Sequence, residues 1–308
     1  MRRWLCVLVL EVVVVCAAVA QSAAPTAAFE VASVRQSKRD APQHTNVPLD
    51  AGNVYGGVSA DDTRSAAGGY LIATHQPLWR YITFAYQLSG TQELSLRFNL
   101  FSGVPKSGAP FWVTGGFDSP PEYFDVSARA PEDSSMDDMR RMMRTLLEER
   151  FRLKVHMMTA DAPVFALVLV QPGVLGPALH VHAAADACKG AMEGLPGLCG
   201  VIAHVAGAGA GLHEGGRGVP LSLFATSIPT MTGLAAMPRP VVDRTGLQGL
   251  YDFTLTWEHD GSGREGAVDE NASNFREALK KQLGLELKPS RAPMEFLMVD
   301  HVERPTEN

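Results

Sequence analysis

The residues that could do acid–base chemistry lie mainly near the C-terminal end of the chain. Asp300, His301 and Glu303 form the tightest group, in which a carboxylate could orient an imidazole acting as a general base. Adjacent strand residues point to opposite faces, however, so Asp300 is poorly placed to hold His301. His156 is a second possible base, but no serine or cysteine nucleophile stands in a recognisable motif. The sequence therefore predicts no catalytic residue.

A second conspicuous stretch is VVDRTGLQGLYDFTLTWEHD. Asp243 and Gly246 suit the first and last positions of a β-turn, and Gly249 permits a second bend. An alternating strand then begins at Tyr251. The stretch is predicted to turn the chain and start a strand, and Arg244 within it is a candidate ligand-facing residue.

The first twenty residues resemble a secretion signal. Arg2 and Arg3 precede an apolar run that ends in the small-residue site Ala18-Val19-Ala20. The run is shorter than the ~20 residues that span a bilayer, so cleavage is predicted. A retained anchor, or a lipid attached at Cys16, is the alternative. We expect a periplasmic or secreted protein with no stable membrane span after signal cleavage.

The cysteines agree with export. Signal removal takes away Cys6 and Cys16 and leaves Cys188 and Cys199, an even pair that predicts a local disulfide in an oxidising compartment. Histidines at 180 and 182 are too few to complete a metal site. No metal and no other cofactor is predicted.

The composition is that of a globular protein. The 308 residues are 46% hydrophobic and 19% charged, enough to bury one large core or two modest ones. The net charge of −6 becomes −7 without residues 1–20, which contain two arginines and one glutamate. Because no basic stripe appears, no nucleic-acid partner is predicted.

Three pairs of segments recur in the same order. They are HQPLWRYITFAYQLSG with GVPLSLFATSIPTMTG, YFDVSARAPED with LYDFTLTWEHD, and LLEERFRLKVHMMTADAPVFALVLV with EALKKQLGLELKPSRAPMEFLMVDHV. The first pair predicts a helix, the second a strand, and the third a helix, a strand, an Ala-Pro turn and a further strand. The prediction is an α+β fold with an internal duplication, in which two related lobes are each an antiparallel sheet backed by helices. Chance similarity of common strand and helix patterns is the alternative.

The helix of the third pair has clear boundaries. Ser135 is predicted to cap it, with Asp138 at the positive end of the helix dipole. Asn274 is predicted to cap the matching helix, with Glu277 three residues on. Apolar residues at helical spacing predict one buried stripe in the first of these helices: Met139, Met142, Met143, Leu146 and Leu147.

The predicted domain organisation has five parts. They are a signal peptide at 1–20, a linker at 21–28, a first lobe at 29–172, a disulfide-bearing connector at 173–218 and a second lobe at 219–308. The connector contains GVIAHVAGAGAGLHEGGRG, whose glycine density predicts a flexible or tightly turning loop. This stretch fits neither a dinucleotide fingerprint nor a phosphate loop.

Several motifs together resemble one family: FEVASVR, LLEERFRLKVH with APVFALVL, VVDRTGLQGLYDFTLTW and VDHVERPTEN. The chain is similar to the uncharacterised "soil-associated" family of exported bacterial proteins, expanded in acidobacterial genomes. The resemblance covers nearly the whole chain after the signal and implies an envelope or secreted protein. A related domain on some antibiotic-sensor-type membrane proteases would suit recognition. The resemblance assigns no catalytic residue.

Three functions remain open. The first is a non-catalytic recognition or interaction module of the bacterial envelope, whose partner would be a small molecule, a glycan or an envelope protein. The alternative is a periplasmic or secreted hydrolase acting on envelope polymers or small esters, and strand addition at a sheet edge is the third. For the aromatic candidates, burial in the core is the competing interpretation. The candidate ligand-facing residues are Trp79, Tyr81, Tyr86, Trp112 and Arg244.

Overall fold

The computed structural model of the protein describes most of the chain. The predicted signal peptide, most of the predicted linker and Cys188 lie outside the described residues. The described residues are 27–50, 55–56, 67–98, 103–116, 119–183, 193–207, 211–232, 237–259 and 266–305.

The described residues form helices and mainly antiparallel strands in separate runs, and the predicted α+β class is confirmed. The helices are α1 Leu78–Tyr86, α2 Gly90–Phe98, α3 Phe111–Thr114, α4 Met136–Phe151, α5 Leu221–Thr232 and α6 Ala267–Ala278, which a π-helical turn extends over Leu279–Leu283. The strands are β1 Val31–Gln36, β2 His44–Thr45, β3 Tyr55–Gly56, β4 Tyr70–Pro77, β5 Tyr123–Arg129, β6 Lys154–Leu169, β7 Leu179–Val181, β8 Val201–His204, β9 Leu212–Val219, β10 Val241–Asp243, β11 Tyr251–Trp257 and β12 Leu285–His301.

The first sheet has the strand order β1-β5-β4-β2, with antiparallel neighbours throughout. Inward residues such as Leu71, Phe124 and Val126 pack with α1 and α4 in one hydrophobic cluster, called here the first core. The predicted methionine and leucine stripe of α4 is confirmed, because all five of its residues are buried there. This core places α1 across the sheet, which matters for the site below.

The second sheet has the order β3-β8-β9-β11-β7. Its pairs are antiparallel except for the short parallel pair of β3 and β8. Phe253 and Leu255 of β11 pack with Phe224 of α5 and Phe275 of α6 in the second core. Alternation of apolar and polar residues in β11, as predicted from its sequence, puts these side chains on the helix-covered face.

The third sheet joins the two cores. Its order is β10-β6-β12, and β6 and β12 pair antiparallel over almost their whole lengths. β6 places Val155 against the first core and Leu167 in the second. β12 runs the opposite way, with Leu285 in the second core and Leu297 in the first. Each core is therefore completed by the end of a strand that begins beside the other core.

The predicted Ala-Pro turns are wrong. Ala162-Pro163 lies inside β6 and Ala292-Pro293 inside β12, and the two alanines pair directly in the ladder. A proline's fixed φ is compatible with extended chain where the ladder does not need its N–H. Arg291 strengthens the pairing, since its Nε donates to Asp161 Oδ2 at 2.7 Å. What looked like two strands and a turn is one long strand in each case.

The predicted glycine-rich loop is also corrected. Strands β8 and β9 occupy much of this stretch, and the glycines at 215, 216 and 218 are buried in β9. A Cβ at Gly216 would overlap the ring of Phe253, and one at Gly215 would overlap the carbonyl oxygen of Gly194. Glycine is required here for close packing, not for flexibility. The stretch thus supplies strands of the second sheet from within the predicted connector.

One predicted helix cap is confirmed and the other is wrong. Ser135 Oγ accepts from the Asp138 N–H at 3.1 Å, while Asp138 accepts from the Ser135 N–H at 2.9 Å, which forms a capping box. Asn274 lies inside α6, which begins seven residues earlier at Ala267. Acidic residues at 269 and 270 fill the first turn of α6, so the helix dipole is satisfied upstream of Asn274.

Among the helices of the described residues, none has both the length and the apolar character needed to cross a membrane.

Candidate functional site

An aspartate at the centre of the first sheet fixes an unusual backbone conformation. Asp125 Oδ1 accepts a hydrogen bond from the main-chain N–H of His75 at 2.9 Å. His75 has a φ of 52°, in the left-handed region where residues other than glycine are uncommon. It lies at a bulge in β4, two residues before Pro77 and the start of α1. We call this arrangement the first aspartate clasp, and it lies just before the change from β4 to α1.

The Asp125 carboxylate has further partners. Arg35 Nε lies 3.1 Å from Asp125 Oδ2, and Ser37 Oγ lies 3.1 Å from His75 Nδ1. Partial burial acts to raise the pKa of Asp125, but hydrogen bonds from the His75 main chain, Ser37 and Arg35 outweigh it and leave that pKa below its ordinary value. The His75 ring stacks on Tyr123 with ring centroids 4.1 Å apart.

The second sheet contains a matching arrangement, the second aspartate clasp. Asp252 Oδ1 accepts from the main-chain N–H of Gly218 at 2.7 Å, and Gly218 has a φ of 59°. Gly218 also stands two residues before a proline that leads into a helix, α5. His182, which follows β7, places Nδ1 2.8 Å from Asp252 Oδ1. The aspartate of the YDF motif therefore holds the backbone, as its counterpart does in the first sheet.

The Asp-Arg-Thr-Gly stretch turns the chain as predicted. β10 ends at Asp243, whose Oδ1 accepts from the N–H of Thr245 at 2.9 Å and from its hydroxyl at 2.7 Å. Gly246 and Gly249 both have positive φ, and β11 starts at Tyr251. Arg244 is exposed, and its main-chain N–H donates to Leu167 O at 2.9 Å. The pattern is that of an Asx-turn.

An open groove of about 370 Å³ lies between α1, the end of α2 and the chain after α3. We call it the arginine groove. Its lining combines two guanidinium groups with aromatic rings and main-chain atoms of two consecutive glycines. The lining residues are Gln43, Pro77, Trp79, Arg80, Arg97, Phe98, Thr114, Gly115, Gly116, Pro121 and Tyr123.

Arg97 is the most tightly packed charge of the arginine groove. Its guanidinium carbon lies 3.9 Å from the ring centroid of Trp79 and 4.5 Å from that of Phe98. Its Nη1 donates to Glu93 one helical turn earlier, at 3.1 Å. Burial lowers the pKa of Arg97 and raises that of Glu93, although their ion pair opposes both shifts. Arg80 donates from Nη1 to Gln76 Oε1 at 2.9 Å.

The predicted ligand-facing residues are scattered. Of the five, only Trp79 lines the arginine groove. Tyr81 is fully buried in the first core, and its hydroxyl donates to the Phe124 carbonyl at 3.0 Å. Burial also raises the pKa of Tyr81 above its ordinary value, with the Asp125 charge adding to the effect. Sequence periodicity showed that these rings share helix faces but not which face meets solvent.

The two remaining aromatic candidates support arginines elsewhere. Tyr86 is half-buried under Arg144, whose guanidinium carbon lies 5.0 Å from its ring centroid. Trp112 is half-buried under Arg304, at 5.2 Å. Arg304 makes a bidentate ion pair with Glu122. Its Nε and Nη2 donate to Glu122 Oε1 at 2.9 and 2.6 Å.

Sequence reasoning missed every lining residue of the arginine groove except Trp79, including the charged and aromatic ones, Arg80, Arg97, Phe98 and Tyr123. The spacing of Glu93 and Arg97, four residues apart on a helix, was the available sign that this arginine is held in place.

The two histidines considered as general bases, His156 and His301, form separate surface pairs. His156 Nδ1 lies 2.8 Å from Asp300 Oδ2 across the β6–β12 ladder, and His301 Nε2 lies 2.7 Å from Glu303 Oε1. As expected for neighbouring strand residues, Asp300 and His301 make their contacts with different partners. About half of each side chain is exposed, and neither pair lines the arginine groove.

Within the described part of the chain, no three His, Cys, Asp or Glu side chains are grouped to hold a metal ion.

A family model described as a protein of unknown function, DUF3738, matches residues 80–302. No curated protein matches the chain, and no solved structure matches it.

Proposed function

The chain belongs to DUF3738, a family of unknown function, and we propose that this member is an exported, non-catalytic recognition module of the bacterial envelope. The arginine groove carries the proposal, because it is an open concavity large enough for a small ligand. We propose that its ligand is a small molecule, or the end of a glycan or peptide, that carries an anionic group beside an apolar one.

The charges of the arginine groove support an anionic ligand. Among the lining residues that the structure describes, Arg80 and Arg97 are the ones that carry charge at neutral pH. Each guanidinium has more N–H donors than one acceptor can use, since Arg80 bonds Gln76 and Arg97 bonds Glu93 through one nitrogen apiece. Planar guanidinium groups suit carboxylates and phosphates. Trp79 and Phe98 hold Arg97 in place, so little side-chain entropy is lost on binding.

The rings and glycines of the arginine groove support an apolar part of the ligand. Tyr123 is held by its stack on His75, and Phe98 is 41% exposed. Gly115 and Gly116 leave main-chain atoms open at the wall. Rigid rings beside main-chain groups are typical of recognition sites in which a few polar contacts fix the orientation of the ligand.

The geometry gives less support to a hydrolase acting on envelope polymers or small esters. The first aspartate clasp brings together the residue types of a serine-hydrolase triad, Ser37, His75 and Asp125. In a triad the carboxylate holds the imidazole ring, whereas Asp125 accepts from the His75 main chain. The second aspartate clasp keeps the same contact with glycine in place of histidine. The shared contact is therefore better explained as architecture than as catalysis.

A ligand screen tests the proposed function. Purified protein would be examined by thermal shift against peptidoglycan fragments, oligosaccharides, acidic peptides and β-lactams. A ligand of the arginine groove should raise Tm in proportion to the logarithm of its excess over Kd. Arg80→Gln should abolish most of that shift.

Arg291→Gln is the matched control for this screen, because Arg291 pairs with Asp161 on the exposed ladder and does not line the groove. It should leave the shift unchanged. A ligand whose shift is equal in wild type and Arg80→Gln would contradict the groove as the site. Cleavage of any screened compound would favour the hydrolase.

We propose that export proceeds through cleavage of residues 1–20 and that Cys188 and Cys199 form a disulfide. The amino-acid pattern of the signal and the even cysteine count support this. Mass spectrometry of the secreted chain should find an N-terminus near Gln21, and alkylation should label the cysteines only after reduction. Prompt labelling of the native protein would contradict the disulfide.

We also propose that the chain arose by duplication, with lobes near the predicted ranges 29–172 and 219–308 and with β7 to β9 assigned to the second lobe. The strand orders of the two sheets support it. The order β1-β5-β4-β2 in the first sheet corresponds, strand by strand, to β7-β11-β9-β8 in the second. The two aspartate clasps support it further, because Asp125 and Asp252 stand at matched positions and bind matched main-chain groups.

A further inference from the structure

A histidine in the second sheet lies between a carboxylate and a sulfur. His182 Nδ1 is 2.8 Å from Asp252 Oδ1, and His182 Nε2 is 3.7 Å from Cys199 Sγ. An ionised carboxylate only accepts hydrogen bonds, so Nδ1 carries a proton and Nε2 faces the sulfur. Only 7% of the His182 side chain is exposed. We call Asp252, His182 and Cys199 the row. Its carboxylate and its sulfur contact opposite nitrogens of the imidazole ring, so the three side chains cannot bind one metal ion together.

The surrounding strands hold each member of the row in place. The His182 N–H donates to Leu250 O at 2.9 Å, and the Gly200 N–H donates to Arg217 O at 2.8 Å. Gly218 lies beneath the sulfur, since a Cβ added there would stand 3.1 Å from Cys199 Sγ and 3.4 Å from His182 Cε1. Glycine therefore lets the sulfur and the imidazole approach each other.

The row is not part of what an aspartate clasp needs. Ser37 in the first clasp corresponds to His182 in the second, since Ser37 follows β1 and His182 follows β7. The Ser37 N–H donates to Tyr123 O, and the His182 N–H donates in the same way to Leu250 O. His75 there occupies the position of Gly218, and the sequence has no cysteine in that half after position 16. The first clasp thus holds its backbone without a histidine–sulfur contact. The histidine–sulfur contact of the second clasp is therefore additional to the contact that the two clasps share.

We propose that Cys199 is a reactive sulfur whose thiolate is stabilised by the His182 imidazolium, and that it takes part in thiol–disulfide exchange. A protonated imidazole beside a thiol favours the thiolate, and Asp252 stabilises the imidazolium by accepting from Nδ1. A thiolate of low basicity is also a good leaving group. The second sheet therefore carries a redox site in addition to the arginine groove of the first.

The exchange step balances with a thiol as the second reactant. The thiolate of a small or protein thiol attacks the sulfur of Cys188, in the disulfide predicted for the oxidised chain. A new S–S bond forms, the Cys188–Cys199 bond breaks, and its electron pair leaves on Cys199 as a thiolate beside His182. The incoming thiol is oxidised to a mixed disulfide while Cys199 is reduced.

Other charged groups of the neighbouring strands have different partners. Glu214 of β9 pairs with His204 of β8 at 2.7 Å, and Arg217 of β9 donates to Pro196 O at 3.4 Å. Among the described residues, His182 lies against the sulfur and Asp252 lies against His182, so these two groups are expected to act on the acidity of Cys199.

The test uses Cys188→Ser, which leaves Cys199 as the single thiol once the signal is removed. Thiolate absorbance and the rate of iodoacetamide alkylation would be followed against pH. We expect Cys199 to titrate about one pH unit or more below an ordinary thiol. Adding His182→Gln should return it towards the ordinary value. Adding His156→Gln, which removes the separate His–Asp pair of the β6–β12 ladder, should not.

An ordinary Cys199 titration that ignores His182→Gln would overturn the proposal. If the His182 variant fails to fold, a second measurement on the unaltered full chain decides. A reactive disulfide should be reduced by millimolar glutathione within the native protein, as judged by mass after alkylation. A disulfide that stays fully oxidised there would be an inert structural one and would also overturn the proposal.

Discussion

At the scale of residues, the two aspartate clasps show which parts of a conspicuous motif serve the fold. The sequence placed Asp125 and Asp252 at matched positions, and it identified the Asp243 turn. It could not show the clasps, because their hydrogen bonds join residues 50 and 34 positions apart. The same limit hid the arginine groove, since Arg80 and Tyr123 meet only after the sheet has formed.

Asp125→Asn should reduce stability most at neutral pH. The lowered pKa of Asp125 means that the folded protein releases this proton more readily than the unfolded chain does. Its contribution is therefore complete above the pKa of the unfolded carboxyl and is lost as pH falls through the lower folded pKa. We expect a loss of about 1–3 kcal/mol at neutral pH, typical of hydrogen bonds to a charged group.

Urea unfolding of wild type and Asp125→Asn from pH 7 down to about 2 would check this. The difference between them should shrink towards the acid end of the range. Asp161→Asn is the control, because its ion pair with Arg291 is more than half exposed and should contribute about 1 kcal/mol or less. A difference that is constant across pH would show that the Asp125 charge does not contribute.

At the scale of elements, sequence patterns succeeded where a side-chain period decides the outcome. The stripe and cap of α4 and the alternation of β11 were predicted because burial of one face dictates both. Sequence patterns gave the wrong prediction for β9 and for the Ala-Pro segments. There glycine and proline, which usually mark turns, are accommodated by close packing and by ladder pairing.

Leu146→Ala should cost about 2–5 kcal/mol in unfolding free energy. Leu146 is 5% exposed and belongs to the first core, so truncation removes buried methyl groups and leaves a cavity. Glu149→Ala on the exposed side of α4 is the control and should change stability by less than about half a kcal/mol. Equal effects of the two substitutions, measured by urea unfolding, would mean that the core side of α4 is misassigned.

Gly216→Ala should destabilise the second sheet by about 1–3 kcal/mol. The added methyl group would overlap the Phe253 ring, which is buried and cannot move freely. Gly116→Ala is a useful comparison, because its Cβ would meet only the side chain of Phe111, which is 73% exposed. Thermal melts would measure both. An unchanged Tm for Gly216→Ala would indicate that this glycine is indeed a loop residue.

At the scale of the whole molecule, the β6–β12 ladder is the feature that sequence reasoning could not provide. The duplicated pattern suggested two lobes, each containing its own strands. In the structure each long strand extends from one core to the other, so Leu167 of β6 packs in the second core and Leu297 of β12 in the first. Pairing between residues as far apart as Val155 and Val299 depends on tertiary geometry that no local pattern records.

Because β6 and β12 are shared by both cores, we expect one cooperative unfolding transition. Loss of either core would strip β6 and β12 of the packing that the other core needs. Calorimetry should show a single peak whose van't Hoff and calorimetric enthalpies agree. Leu297→Ala, in the first core, should shift that whole peak to lower temperature. Two resolved peaks, with only one of them shifted, would show that the cores unfold independently.

The sharing of β6 and β12 between the two cores also determines what happens when the chain is divided into two fragments. A fragment ending after β6 would lack Leu297 and Val299, and its complement would lack Phe165 and Leu167. Neither piece would be self-sufficient, yet together they contain every strand of the ladder. Co-expressed halves should reassemble across the β6–β12 seam, which would make this protein a natural template for split-reporter complementation.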